Sequence, residues 1–188
     1  MNDARRPQSS SLLSLCCPSS PAIIQQFHSR GIAMSIEFVS GDLFVNRVKA
    51  EAFAHGCNCA GSMGAGIAVG FKERYPAMFE EFRRRCKAKP PEFTLGDVFL
   101  WREDGKPAVF NLGTQPRPGR GATYPVVETV LKALRAAADE AGIRSVAMPR
   151  IAAGYGGLSW KKVKALIEAT FADWSGMLYV YDEFKEGE

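Results

Sequence analysis

Hydrophobic and polar positions fall into two regimes along the chain. Up to residue 34 no hydrophobic period is sustained, whereas from Ser35 onward apolar residues recur at strand or helix spacing. Ile36-Glu-Phe-Val-Ser40 alternates and stops at Gly41-Asp42, which predicts a short strand and a turn. Glu51 to Cys57 is rich in small residues and suits a buried strand. Gly64 to Arg74 reads as a helix punctuated by Tyr75-Pro76. A second helix follows over Ala77 to Lys87, with Met78, Phe79 and Phe82 on one side and Arg83 to Arg85 largely on the other. Asp97 to Trp101 and Pro107 to Asn111 flank Glu103-Asp-Gly105 and predict a hairpin. From Thr123 to Ala141, Val126, Val127, Val130, Leu131, Leu134 and Ala138 repeat at helical spacing, and Gly142 supplies the stop. Ser145 to Pro149 reads as a strand. Ser159 can cap a helix running to about Asp173, and Met177 to Tyr181 is a last strand. Six strands interleaved with four helices predict an α/β fold of three layers around a mostly buried sheet.

Composition narrows this picture. At 188 residues the chain has room for one well-filled domain. No apolar run approaches the ~18–20 residues of a membrane span, so no membrane partner is expected. Five cysteines are an odd and sparse set, which fits a reducing, cytoplasmic setting better than a disulfide scaffold. Of the net charge of +4, residues 1–34 carry half: Arg5, Arg6 and Arg30 against Asp3. That stretch, with its serines and the Cys16–Cys17 pair, reads as a disordered leader resembling a transit peptide, or as sequence ahead of a start at Met34. Residues 35–188 are expected to form the single domain, acting as a monomer.

Two glycine-rich turns each follow a strand and precede a helix: Gly61-Ser-Met-Gly64-Ala-Gly66 and Gly154-Tyr-Gly156-Gly157-Leu-Ser159. A helix start offers unpaired backbone N–H groups, and glycine lets a phosphate approach them. Two such turns in one small α/β domain point to a diphosphate clamped from both sides. A dinucleotide fingerprint is not met, because the third glycine falls one place late, at Gly70, and the loop follows the second strand. No phosphate-loop nucleotidase motif is present either. His55, Cys57 and Cys59 share one strand face, but a zinc site needs a fourth ligand and wider spacing, so no metal is expected. A cysteine nucleophile would need a base, and His55 is the one histidine of the periodic region. Asp42, at the end of the first strand, can accept from an exocyclic amine, and Asn58 can bond a ribose hydroxyl. Phe44, Tyr155 and Tyr181 are candidates for stacking on a base or ribose.

Val39-Ser-Gly-Asp-Leu-Phe44, Asn58-Cys-Ala-Gly-Ser-Met-Gly-Ala-Gly-Ile-Ala68 and Phe71-Lys-Glu-Arg-Tyr-Pro76 together resemble a macrodomain. So do Asn111-Leu-Gly-Thr114, Met148-Pro-Arg-Ile151 and Gly154-Tyr-Gly-Gly-Leu-Ser-Trp160. Within that family the branch of terminal ADP-ribose protein glycohydrolase and DarG is the most similar. The resemblance spans about residues 36–182 and implies an α/β/α sandwich with a mixed sheet of about six strands, binding ADP-ribose without metal or other cofactor. It implies that Asp42 and the backbone of Leu43 contact adenine, and that Asn58 faces the distal ribose. Met63, Gly64, Ala65, Gly66 and Ile67 would form the first diphosphate loop, and Ala153, Gly154, Tyr155, Gly156 and Gly157 the second, with Thr114 beside them.

Hydrolases of this branch resemble the Asn-Leu-x-Thr segment here but follow it with a lysine that attacks the distal ribose; this chain has Gln115. A glutamine forms no Schiff base, so that route is closed at this position. The terminal glycohydrolase also uses an aspartate where this chain has Gly156. Asn58, His55 and Gln115 remain the catalytic candidates. The readings left open are an enzyme releasing ADP-ribose from protein esters, nucleic acid or O-acetyl-ADP-ribose, a non-catalytic reader, and a basic nucleic-acid-binding module. The last rests on Arg83-Arg-Arg-Cys-Lys87-Ala-Lys89 and on Arg117 and Arg120.

Overall fold

The computed structural model describes residues 35–187. The expected leader over residues 1–34 lies outside them. Six strands, β1 (Ile36–Ser40), β2 (Ala52–Asn58), β3 (Val98–Trp101), β4 (Ala108–Gln115), β5 (Ser145–Pro149) and β6 (Met177–Glu183), form one sheet. Their order is β1-β6-β5-β2-β4-β3, parallel throughout except for the β3–β4 hairpin. Helices α1 (Ile67–Arg74) and α2 (Pro76–Lys87) follow β2; α3 (Tyr124–Glu140) follows β4 and α4 (Trp160–Phe171) follows β5.

Alternation along the strands divides the core in two. Ala52, Ala54, Phe110, Leu112, Val146, Met148, Leu178 and Val180 face α3 and α4, meeting Val127, Val130, Leu131, Leu134, Val163, Ile167 and Phe171. Phe53, Cys57, Val109, Ala147 and Tyr181 face the other way, against Phe71, Met78, Phe82 and Cys86 of α1 and α2. The result is the expected α/β/α sandwich with a mixed six-stranded sheet. A buried parallel sheet covered by helices on both faces explains why its strands read as small or apolar runs instead of strict alternation.

Several boundaries differ from the sequence reading. β4 continues to Gln115, four residues past the expected end, because it lies between β2 and β3 and pairs along its whole length. Its polar Asn111 and Thr114 are buried there, which masked the strand in the pattern. α1 starts at Ile67, not Gly64, since Gly66 holds φ +60° and ψ −149°, outside the helical region. Ser159 occupies the position before α4, but its side chain makes no capping bond. β6 extends to Glu183, where Gly41 N–H donates to the Glu183 carbonyl at 2.9 Å.

Leu131 sits at the centre of the α3 stripe and is fully buried. Leu131→Ala is expected to lower the unfolding free energy by about 2–5 kcal/mol, read from chemical denaturation.

Candidate functional site

In this sheet the chain leaving β5 passes through α4 to β6 on one side, while the chain leaving β2 passes through α1 and α2 to the strands on the other. Neighbouring β2 and β5 therefore define a topological switch point, with a crevice at their carboxyl ends. The loops 58–66, 115–123 and 150–158 all leave this edge, and so does the turn after β1.

Each loop is built by its own hydrogen bonds. Asn58 Nδ2 donates to the Ser62 carbonyl at 2.7 Å, and Asn58 Oδ1 accepts from Ala60 N–H at 3.1 Å and Ser62 N–H at 3.3 Å. Cys59 N–H donates to the Gln115 carbonyl at 2.9 Å, tying this loop to the end of β4. In the second glycine loop, Gly157 N–H donates to the Gly154 carbonyl at 3.0 Å and Leu158 N–H to the Ala152 carbonyl at 3.1 Å. The two loops touch: a Cβ on Gly66 would stand 3.1 Å from Tyr155 Cε2. Gly64, Ala65, Gly66, Gly154 and Tyr155 are exposed, Ile67 and Ala153 half-buried, and Met63 and Gly156 buried beneath them.

The electrostatics of this edge come from the helix starts. α1, α3 and α4 begin here, preceded by Gly66, Thr123 and Ser159, and none has a side-chain cap or an acidic residue in its first turn. Their leading N–H groups and the positive ends of their dipoles are left facing the loops. Ser159 N–H is the exception nearby, donating to the Tyr124 hydroxyl at 3.3 Å. Asp42 lies on the same edge and its Oδ1 accepts from Phe44 N–H at 2.9 Å, which starts a short 3-10 turn over Leu43–Val45.

The remaining candidates differ in whether they reach the crevice. His55 is fully buried on β2, its ring stacked on Phe71 at 4.0 Å and its Nε2 3.0 Å from Asn111 Oδ1. Burial lowers its pKa to about 4, against a smaller upward pull from Asn111, so the imidazole is neutral and has no exposed atom to offer a ligand. Cys57 is buried beside it, and burial pushes its thiol well up; Cys59, half-buried, is pushed up to about 12. Such thiols are poor nucleophiles. Among the described residues no group of three or more His, Cys, Asp and Glu is placed to hold a metal ion. Thr114 is buried, donating to the Cys57 carbonyl at 3.2 Å, and Gln115 is half-buried above it. Phe44 lies over Gly70 and against Phe53 and Phe71, and Tyr181 is also core. Tyr155, 65% exposed, is the one stacking candidate on the open surface of the crevice.

A feature hidden from sequence reading is the lack of space at Gly156. A Cβ there would stand 2.8 Å from Ala152 Cα and closer still to the Ala152 carbonyl oxygen. With the loop in this conformation no side chain fits, an aspartate included. The Arg83–Arg85 tract is also not a free cationic patch: Arg83 pairs with Glu80, Arg84 with Glu81 and Glu92, and Arg85 with Glu81.

The fold and this edge define a three-layer α/β domain with an anion-receptive crevice, and comparison with known proteins identifies it. The Macro domain family model matches residues 54–167, and the chain belongs to that family. Human ADP-ribose glycohydrolase OARD1 is 32% identical over 136 residues, 72% of this chain and 84% of that protein. A DNA ADP-ribosyl glycohydrolase of Mycobacterium bovis is 34% identical over 139 residues; the match takes in 72% of this chain but 38% of that protein's length. The macrodomain of Thermus aquaticus DarG superposes with a TM-score of 0.71 at 29% identity, covering 78% of this chain and 97% of that one.

Because the folded protein disfavours the charged imidazole of His55, this group contributes stability in full above pH 6.5 and loses it as the pH falls toward 4. Proton NMR of the folded protein is expected to show no His55 titration step near pH 6.5. A midpoint there would mean that the ring is open to solvent.

Proposed function

We propose that residues 35–188 bind the ADP-ribosyl group. The observation that carries this reading is the convergence of three uncapped helix starts, free of acidic residues, around two glycine loops at one switch point. The diphosphate lies between the loops and takes N–H groups of residues 64–67 and 153–156. Adenine lies toward Asp42 and the Leu43 N–H. The Asn58 amide shapes its loop and keeps one N–H of Nδ2 for the distal ribose. We place the protein in the cytoplasm, a setting suited to its free thiols at Cys57, Cys59 and Cys86, and take it to act as a monomer.

A second reading, release of ADP-ribose from a carrier, is favoured by the relatives named glycohydrolases. In this chain it would run without a lysyl adduct, because position 115 is glutamine. Water at the anomeric carbon would be aligned by the bound diphosphate, and the developing charge met by loop N–H groups. Arg117 and Arg150, exposed on the loops after β4 and β5 and forming no ion pair among the described residues, favour a polyanionic carrier such as nucleic acid.

Calorimetry is expected to give sub-millimolar affinity for ADP-ribose, reduced about tenfold or more in Asp42→Ala. Asp42→Asn keeps an oxygen for the Phe44 N–H, so it separates loss of the ligand contact from loss of the turn. No heat with the wild type at millimolar ADP-ribose overturns the binding reading.

For turnover, mass spectrometry is expected to show free ADP-ribose released from an ADP-ribosylated oligonucleotide, and no protein adduct after borohydride trapping. An unchanged oligonucleotide, together with an unchanged ADP-ribosyl-glutamate peptide, leaves the protein as a reader.

A further inference from the structure

Arg120 lies on the loop between β4 and α3, far in sequence from the second glycine loop but against it in space. A Cβ placed on Gly157 would stand 3.2 Å from Arg120 Cγ, 3.5 Å from Cδ and 3.7 Å from Nε. The aliphatic stem therefore runs along the bare backbone of Gly157, which holds φ +78°. Holding a long side chain in one course costs rotamer freedom, and an arginine fork is matched by a carboxylate or a phosphate. This one forms no ion pair among the described residues.

Its surroundings sharpen the contrast. The loop it covers leads into the start of α4, whose first turn carries Lys161 and Lys162 and no acid. The start of α3, four residues after Arg120 in the chain, is equally free of acids. An exposed arginine on a loop that runs between two such helix starts, with no carboxylate of its own, is complementary to an anion that the protein does not itself supply.

We infer that Arg120 is a phosphate-binding residue of the crevice, its guanidinium contacting a phosphoryl group of the ADP-ribosyl ligand at the second glycine loop. This rests on the ADP-ribose reading above and adds to it a charged side chain beside the backbone N–H groups. The phosphoryl group is either one of the internal diphosphate or one borne by the distal ribose. Its geometry suits the fork of an arginine better than the single ammonium of a lysine. Gly157 serves the arrangement twice, by its positive φ and by leaving room for the stem.

The test is calorimetry on the full chain as wild type, Arg120→Gln, Arg120→Lys and Lys87→Gln, with ADP-ribose and with ADP-ribose 1''-phosphate. Lys87, exposed at the end of α2, removes the same charge outside the crevice. Arg120→Gln is expected to lower affinity about tenfold or more, with Arg120→Lys intermediate and Lys87→Gln equal to wild type. A loss shared by both ligands assigns the contact to the diphosphate, and a loss confined to the second ligand assigns it to the distal phosphate. Thermal unfolding of Arg120→Gln at the wild-type midpoint shows that the fold is intact. Wild-type affinity in Arg120→Gln for both ligands, or an equal loss in Lys87→Gln, overturns the assignment. A wild type that binds neither ligand instead defeats the ADP-ribose reading itself.

Discussion

Three helices begin at one edge of the sheet with leading N–H groups that no side chain caps. Everything else in the crevice is subordinate to this. Backbone donors left without partners are costly unless water or a ligand takes them, and a fold normally places Ser, Thr, Asp or Asn there to do so. Here Thr123 and Ser159 stand at two of those positions with side chains that make no capping bond, and the third is glycine. The α4 start goes further, carrying lysines where a helix prefers carboxylates. An isolated domain gains nothing from such an arrangement. It becomes favourable when an anion sits at the junction, and the parallel topology is what brings the three starts to one edge.

The loops translate that field into a shape. Asn58 ties three bonds within its own turn, and Cys59 anchors that turn to β4. Tyr155 reaches across to Gly66, and Arg120 lies along Gly157. The crevice is thus bounded by contacts that run from loop to loop, each using a glycine as the surface on which a larger side chain rests. Removing the glycines would alter the walls even where the backbone could tolerate a side chain.

How legible this was in the sequence depended on the kind of signal. The helical stripe of α3 and the alternation of β1 are local periods, and they appear in the structure where the pattern put them. β4 was truncated in the reading because Asn111 and Thr114 look polar, although both are buried, Asn111 by pairing on both edges. The glycine loops were visible as composition after a strand and before a helix. His55 was not placed by its sequence neighbours: its burial depends on Phe71 from α1 and Asn111 from β4, contacts with no local trace. The crowding at Gly156 by the Ala152 backbone and the course of Arg120 along Gly157 are likewise properties of folded loops. The arginines of α2 looked like a cationic face because the glutamates that neutralise them come one turn earlier and from Glu92 beyond the helix.

These placements bear on chemistry at the distal ribose. Four side chains that could supply a covalent or general-base route are limited, each for its own reason. Position 115 is a neutral amide whose backbone carbonyl is already bonded to Cys59 N–H. Position 156 cannot carry a side chain without displacing Ala152. His55, with its pKa lowered to about 4 by burial, and the raised thiol of Cys57 lie sealed within the core. Asp42, one oxygen of which accepts from Phe44 N–H, stands at the β1 side of the edge, where the adenine is proposed to lie. What remains beside the glycine loops is backbone N–H, the Asn58 amide, the Tyr155 hydroxyl, arginine and the lysines at the start of α4, all of which can donate hydrogen bonds to negative charge. A bond-breaking step carried by these groups would draw its rate from the alignment of water and from stabilisation of charge on the leaving and phosphate oxygens, a mode in which the groups that bind the ligand are also the ones that act on it.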